Sequence, residues 1–345
     1  MRGMLWKFIV FLCVLVFGFL VYVSFLSSPA SDAPERTIVV TAGDDAISMA
    51  RKLGDVGIFP WPFGYRLYGY VDRSVLRPKV GSYRVQAGMS YHDVARRLAV
   101  GPERREATIR VIEGWTLTDI QQNLFQQHAI PYSESASWMG KVLDGQSFDP
   151  RLREEFSFLK TVPQTRSLEG YLFPDTYRIW ADQLPEGLVR KQLREFDERY
   201  GTVQVSRALA PLETLDDVVT LASIVEKEVR EPEDKKIVAG IFLRRLRIGM
   251  ALQSDATLHY LTQSGRSRST SNDLAIDSAY NSYKHRGLPP GPISNPGAHA
   301  IDAVLHPQVT SYLYFLTTDA GKVLYARTFE EHIQNRQRAG FDRSR

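Results

Sequence analysis

The chain has 345 residues, enough for two folded units and an anchor, and its 43% hydrophobic and 24% charged residues exclude a disordered or low-complexity protein. The formal net charge is +4; of 43 basic residues Arg2 and Lys7 precede the first apolar run, which leaves 41 against 39 acidic residues and excludes the basic stripe of a nucleic-acid binder. The only cysteine, Cys13, lies inside that run, so the folded part forms no intrachain disulfide and no cysteine-ligated metal site.

Phe8 to Leu26 reads FIVFLCVLVFGFLVYVSFL, without charge or proline. At about 1.5 Å per helical residue it predicts a single transmembrane helix across roughly 30 Å of hydrocarbon. Arg2 and Lys7 on one side, against Asp32 and Glu35 on the other, put the N-terminus in the cytoplasm and everything after Ser27 outside. A cleaved signal peptide is the competing reading, because SSPASDA follows, but the run exceeds the ~7–15 residues of a signal core. Apolar sequence continues past Cys13, which argues against a lipidated cysteine. Residues 1–34 are thus read as cytoplasmic tip, membrane helix and a Ser/Pro/Ala-rich linker, Ser27 to Pro34.

Residues 35–105 read as a small module. Val40-Thr-Ala-Gly43 and Val85-Gln-Ala-Gly88, echoed by Val111-Ile-Glu-Gly114, each place a strand-like segment before a glycine. Apolar pairs follow at helical spacing: Met49 and Leu53, Val94 and Leu98, Ile120 and Leu124. The spacing predicts strand, glycine turn, then an amphipathic helix, with Asp44 or Asp93 near the helix start. The pattern resembles the LysM carbohydrate-binding module, and a plain βα packing unit gives it equally. Phe59, Trp61, Phe63 and Tyr65 form an aromatic cluster suited either to stacking on sugars or to a core.

Residues 106–345 read as one larger domain. Helices are expected over Leu188–Tyr200 and Asp234–Leu246, and a late strand Tyr312–Leu316 with a partner at Val323–Tyr325. Helices first and strands late predict an α+β fold. The patches Arg104-Arg105 and Arg244-Arg245 are read as solvated ends.

Between two of these helices lies LDDVVTLASIVEKEVREPED, expected to be helical from Val218 to Arg230, with Asp216 or Asp217 capping it and Pro232 closing it. At 100° per residue Leu221, Ala222, Val225 and Val229 form the buried face, with Ser223 and Lys227 opposite. Glu228 falls at the rim of the apolar face and Glu226 on its other flank. Partial desolvation there would hold a proton available near neutral pH, as a general acid requires. The wheel alone does not separate the two glutamates, and both can be ordinary surface residues.

Three further stretches concentrate polar and aromatic groups: Leu168-Glu-Gly-Tyr-Leu-Phe-Pro-Asp-Thr-Tyr177, Leu252-Gln-Ser-Asp-Ala-Thr257, and Tyr280-Asn-Ser-Tyr283 running into a proline- and glycine-dense loop, Gly287 to Gly297. Such loops order at little entropic cost and hold side chains at a cleft. They supply Glu169, Tyr171, Asp175, Gln253, Ser254, Asp255, Tyr280, Asn281 and Tyr283 as candidate substrate-binding residues. Glu228 is expected to face a groove lined by Gln253 and Tyr280. His259, His285, His299 and His306 lack metal-ligand spacing, so no metal is expected.

LASIVEKE, IFLRRLRIGMALQSDAT, SAYNSYKHRGLPPGPISNPG and the closing YLYF, in this order, resemble the YceG-like family, the membrane-anchored endolytic murein transglycosylases. The resemblance covers nearly the whole chain, with one departure, Ala256 where the family often has proline. It implies a catalytic Glu228, with Glu226 second, and no cofactor. The implied reaction is cleavage of the β-1,4 bond between N-acetylmuramic acid and N-acetylglucosamine with a 1,6-anhydro product. It further implies peptidoglycan strands, the membrane and cell-wall synthesis proteins as partners, and a single-pass place in the cytoplasmic membrane with the catalytic part outside. A lysozyme-like hydrolase and a non-catalytic wall-binding scaffold are the alternatives.

Overall fold

The computed structural model describes residues 2–22, 33–41, 43–59, 61–70, 72–76, 78–102, 105–141, 145–263, 269–318 and 320–340. Residues 23–26 of the apolar run, residues 27–32 of the linker, Ala42 and Arg104 lie outside them. The chain divides into two compact units, Met1–Arg104 and Arg105–Arg345.

The first unit holds α1 (Arg2–Val21), β1 (Glu35–Val40), α2 (Ala46–Asp55), α3 (Phe63–Tyr68), β2 (Gly81–Gln86) and α4 (Tyr91–Val100). Among the described residues no helix is long and apolar enough to cross a membrane. The part of the apolar run within α1, Phe8 to Val21, rises only about 21 Å at ~1.5 Å per residue. Strands β1 and β2 pair antiparallel, with Ile38 opposite Tyr83, and turn Ile38, Val40, Tyr83 and Val85 inward. Both strands end in a turn at a glycine with positive φ, +95° at Gly43 and +89° at Gly88, a conformation that costs other residues energy. Each turn feeds a helix whose paired apolar residues, Met49 and Leu53 in α2, Val94 and Leu98 in α4, are buried in the core.

Asp44 and Asp93 lie at the helix starts as expected, and the residues that cap the helices stand beside them. Asp45, not Asp44, caps α2 in a reciprocal pair with Ser48, and Ser90 caps α4 by accepting from the Asp93 N–H. Asp44 instead takes the Lys52 ammonium at 2.6 Å, which holds its carboxyl well below the usual range. The aromatic cluster also divides. Phe59 and Tyr65 are buried and stack at 5.6 Å, with Tyr91 edge-on to Phe59, whereas Trp61 and Phe63 remain exposed.

The second unit contains, in order, β3 (Glu106–Arg110), α5 (Leu117–His128), α6 (Tyr132–Met139), α7 (Arg151–Glu155), β4 (Thr176–Trp180), α8 (Glu186–Tyr200), α9 (Leu215–Glu228), α10 (Pro232–Arg247), α11 (Asp255–Thr262), α12 (Ser271–Ala275), α13 (Ala298–Leu305), β5 (Tyr314–Thr317), β6 (Val323–Ala326) and α14 (Phe329–Arg338). The third strand–glycine–helix repeat, β3 to α5, belongs here: Gly114 has φ +78°, and Ile120 and Leu124 are buried. Its strand pairs antiparallel with β4, Ile109 opposite Tyr177, and β5 pairs antiparallel with β6. The fold is a mixed α/β arrangement in which small two-stranded sheets accompany a helical core.

Helix α9 is the centre of that core. It packs against α10, α11 and α13, and Leu215 and all residues from Val218 to Val225 are buried. This corrects the amphipathic reading. Ser223, expected to face away, is fully buried because the loop before α13 covers that side: its hydroxyl accepts from the Ile293 N–H at 2.9 Å and donates to the Thr220 carbonyl at 2.7 Å. Arg245 is likewise no solvated end. It is 5% exposed, and its guanidinium donates to the Leu313 and Leu252 carbonyls at 2.7 and 2.5 Å.

Candidate active site

Helix α9 begins earlier and stops earlier than its apolar pattern suggests. Thr214 is the N-cap, accepting from the Asp217 N–H, while Asp217 accepts from the Thr214 N–H, so Asp217 completes the cap rather than starting it. At the far end Val229 is extended, with φ −143° and ψ 150°, and Glu231 is extended ahead of Pro232, the first residue of α10. Proline disfavours helical backbone in the residue before it, so α9 cannot run on into α10. Glu228 is therefore the last residue of α9, and a buried helix delivers it to a loop junction.

By surface area Glu228 is only partly buried, yet protein surrounds its carboxyl as densely as at an interior site. The Ser254 hydroxyl donates to its Oε1, and the Thr317 hydroxyl donates to its backbone carbonyl at 3.4 Å. Desolvation raises its pKa to about 7; the Ser254 hydrogen bond opposes the shift, nearby Asp255 adds to it, and Arg245 opposes it. A carboxyl in this state is half protonated near neutral pH, the condition for giving and then retrieving a proton. If it acts as the acid, kcat/KM on glycan falls about tenfold per pH unit above pH 7. A pH profile flat from pH 6 to 9 would remove Glu228 from that role.

Glu226 has a different environment. Its Oε1 lies 2.7 Å from the Lys235 Nζ, both side chains under one-tenth exposed, and its Oε2 accepts from the Gly297 N–H at 3.0 Å. Both oxygens are thus engaged, one in an ion pair that ties α9 to α10 and one in a backbone hydrogen bond that ties it to the start of α13. The flanking position that left the two glutamates indistinguishable on the wheel resolves into two jobs, one carboxyl bound by a cation and one left beside a hydroxyl.

The loop before α11 and the loop after α12 assemble around Glu228. Ser254 stands at the N-cap position of α11 without a side-chain cap, and its N–H donates to the Ser282 hydroxyl at 2.9 Å; Tyr283 donates to Asp255 Oδ1 at 2.8 Å. Gln253 is exposed, with φ +50°, a left-handed backbone that strains a non-glycine residue and that the Gln253 N–H bond to the Ser282 carbonyl helps to hold. Glu228, Gln253, Ser254, Asp255 and Tyr283 therefore gather on one loop junction.

Tyr280 and Glu169 belong to a neighbouring cavity of about 330 Å³, whose lining also includes Arg166, Ser167, Tyr260 and Pro292. Glu228 is not part of that lining, so the expected single groove is two adjacent places joined by the 278–283 segment. Glu169 is 4% exposed; it accepts from the Leu117 N–H at the start of α5 at 3.1 Å, from the Asn295 side-chain amide at 3.2 Å and from the Tyr260 hydroxyl at 3.4 Å. Burial pushes its pKa up to about 8. Gly170 beside it has φ +93°, and a Cβ there would lie 2.5 Å from Pro292, so the chain can pass only as glycine.

Three expected binding residues face elsewhere. Tyr171 is 1% exposed and donates to Asp216 Oδ1 at 2.5 Å inside the aromatic core. Asn281 is fully buried: its amide donates to the Leu274 and Ile276 carbonyls, and its Oδ1 accepts from the Tyr283 N–H. Asp175 lies exposed at the entry to β4, accepting from the Thr176 N–H at 2.6 Å. Polar residue type points to these three, but their partners are local and internal. Conversely, sequence reasoning misses Tyr260, Arg245 and Asn295 as residues of the site. Asn295 is findable only as part of the proline-glycine loop, and its Oδ1 accepts from the Gly170 and Leu172 N–H groups at 3.0 and 2.9 Å.

Known proteins resemble this chain in sequence and in fold. The crystal structure of a yceG-like protein from Listeria monocytogenes aligns with a TM-score of 0.56 at 27% identity, covering 88% of this chain and all of that one. Proteins named endolytic murein transglycosylase from two Streptococcus pneumoniae strains, D39 and R6, are 32% identical over 358 aligned positions, covering 95% of this chain and 64% of theirs. One of the same name from Bacillus subtilis strain 168 is 32% identical over 271 positions, covering 75% and 72%. This chain thus spans under two thirds of the pneumococcal relatives' length. The YceG-like family model matches residues 38–338, nearly the whole chain, and the chain is accordingly a member of the YceG-like family.

Proposed function

We propose that this protein is an endolytic murein transglycosylase with Glu228 as its acid and base. One observation carries the reading: of the two glutamates at the end of α9, only Glu228 is a desolvated carboxyl held by a neutral hydroxyl, while Glu226 is neutralised by Lys235. The names of the pneumococcal and Bacillus relatives support the substrate class. In the proposed step Glu228 protonates the oxygen leaving C1 of N-acetylmuramic acid. The C6 hydroxyl of the same sugar attacks C1 and returns its proton to Glu228, giving a 1,6-anhydro end without consuming water. Gln253, Ser254 and Asp255 lie beside the acid, where they can orient the strand as C1 gains positive charge. A hydrolase with the same acid would instead need a second carboxylate and a placed water. Mass spectrometry of glycan digested by the full chain is expected to show anhydro ends; reducing ends would turn the reading into hydrolysis, and no released fragments into a wall-binding scaffold.

The remaining elements of the proposal are a membrane anchor at Phe8 to Leu26, export of everything after it, and glycan binding by a LysM-like first unit. Support for the anchor is physical. The large side chains of α1 from Phe8 to Phe19 are exposed, for instance Phe8 at 62% and Phe17 at 69%, and water does not tolerate an apolar surface so continuous. The full chain is expected to stay with membranes through alkaline carbonate extraction; release into the supernatant would reject the anchor.

A further inference from the structure

Resting on that reading and deepening it, we propose that the cavity beside Glu169 is a sugar subsite that seats one N-acetylhexosamine ring of the glycan strand, with Tyr280 as its stacking wall and Glu169 as its hydrogen-bonding floor. Its volume of about 330 Å³ has room for one substituted pyranose and stands at the lower end of the roughly 300–1,000 Å³ of ligand sites.

The lining matches what a pyranose presents. A sugar ring has a C–H face, which packs on aromatic and proline surfaces, and a rim of hydroxyl and acetamido groups that need donors and acceptors. The Tyr260 and Tyr280 rings lie 5.4 Å apart at 43° to one another, and Pro290 and Pro292 extend the apolar wall. Facing polar groups are the Glu169 carboxyl and Arg166, whose Nε is buried without a hydrogen-bond partner among the described residues.

Charge selects a neutral ring over an acidic stem peptide. Arg166 is already paired with Asp216, and burial favours the uncharged acid at Glu169. Lys141, the remaining cation of the lining, is exposed, where water and salt screen it. Position then fixes the role. Ser278, Ala279 and Tyr280 line the cavity, and two residues further on Ser282 and Tyr283 hold Ser254 and Asp255 beside Glu228. One short loop thus sets the subsite next to the acid, so that a ring seated in the cavity keeps the strand in register for cleavage.

The test uses the full chain in detergent, carrying Glu228→Gln so that nothing is cut, with peptide-free tetra-N-acetylchitotetraose as the probe in calorimetric titration. Adding Tyr280→Ala is expected to raise Kd at least fivefold, whereas Tyr280→Phe, which keeps the ring, leaves it within twofold. Tyr280→Leu, which keeps apolar packing against Tyr260 without the ring face, decides the matter if thermal unfolding shows the alanine variant disordered. A change below fivefold in the folded variant overturns the proposal. So does a probe that fails to bind while a peptide-bearing muropeptide binds and is lost with Tyr280→Ala, because the cavity then takes the stem. Binding does not depend on catalysis, so cleavage surviving Glu228→Gln would reject the acid and leave the subsite standing.

Discussion

Glu228→Gln is expected to lower kcat/KM on purified glycan by about 10²–10⁴-fold, the usual contribution of a general acid, without loss of folding. The amide is isosteric, and its oxygen can still accept from the Ser254 hydroxyl, so packing at the end of α9 is kept. What disappears is the titrating proton. The same substitution has a signed effect on stability. The native carboxyl holds its proton up to about 7 against an ordinary value of 4.5, so the native state binds the proton more tightly than the unfolded chain. The contribution of Glu228 to stability is therefore full below pH 4.5 and declines as pH rises towards and past 7. At pH 8 the glutamine variant should be the more stable, by up to about 3 kcal/mol and less for the carboxyl's partial contact with solvent. Wild-type turnover in the variant would end the acid assignment.

The second large effect is structural. Lys235→Met should destabilise the second unit by about 3–5 kcal/mol, because it strands the Glu226 carboxylate in the interior without its cation. For a unit of this size that is a fall in Tm of roughly 10 °C. Glu226→Leu with Lys235→Met, which removes both charges, should recover most of the loss, since a buried pair contributes little net stability over apolar packing. Glu226→Gln alone should lower Tm yet retain kcat in the folded fraction. A folded but inactive Glu226→Gln protein would exchange the roles of the two glutamates.

Local pattern is the part of the structure legible in sequence. The three strand–glycine–helix repeats can be read because each is settled within about twenty residues: a glycine that must take positive φ, then apolar residues at i and i+4. The late hairpin is legible for the same reason. By contrast, β3 pairs with β4, and Ile109 meets Tyr177 across a separation no periodicity encodes. The burial of Ser223 depends on the Gly287 to Gly297 loop folding over α9, an encounter invisible from the helix itself.

The candidate site shows the same division. The LASIVEKE helix announces itself by composition, yet the distinction between Glu226 and Glu228 rests on Lys235, Gly297 and Ser254, none of which belongs to that helix. Arg245 reads in sequence as one half of a charged pair, but α10 turns it inward to carry two carbonyls of other segments, while Arg244 donates to the Thr310 carbonyl at 3.1 Å. Residue type names chemistry; only the partners decide whether that chemistry is free to act.

The end of α9 at Glu228 has one more consequence. Aligned peptide dipoles give the closing turn of a helix a partial negative charge of about half an electron. Glu228 stands at that pole, so its ionised form meets electrostatic resistance from the backbone in addition to the poverty of water around it. Were α9 to continue through Val229 and Arg230, the pole would migrate onward and its influence on the carboxyl would fade. The backbone break at Val229 thereby helps set how readily the acid parts with its proton.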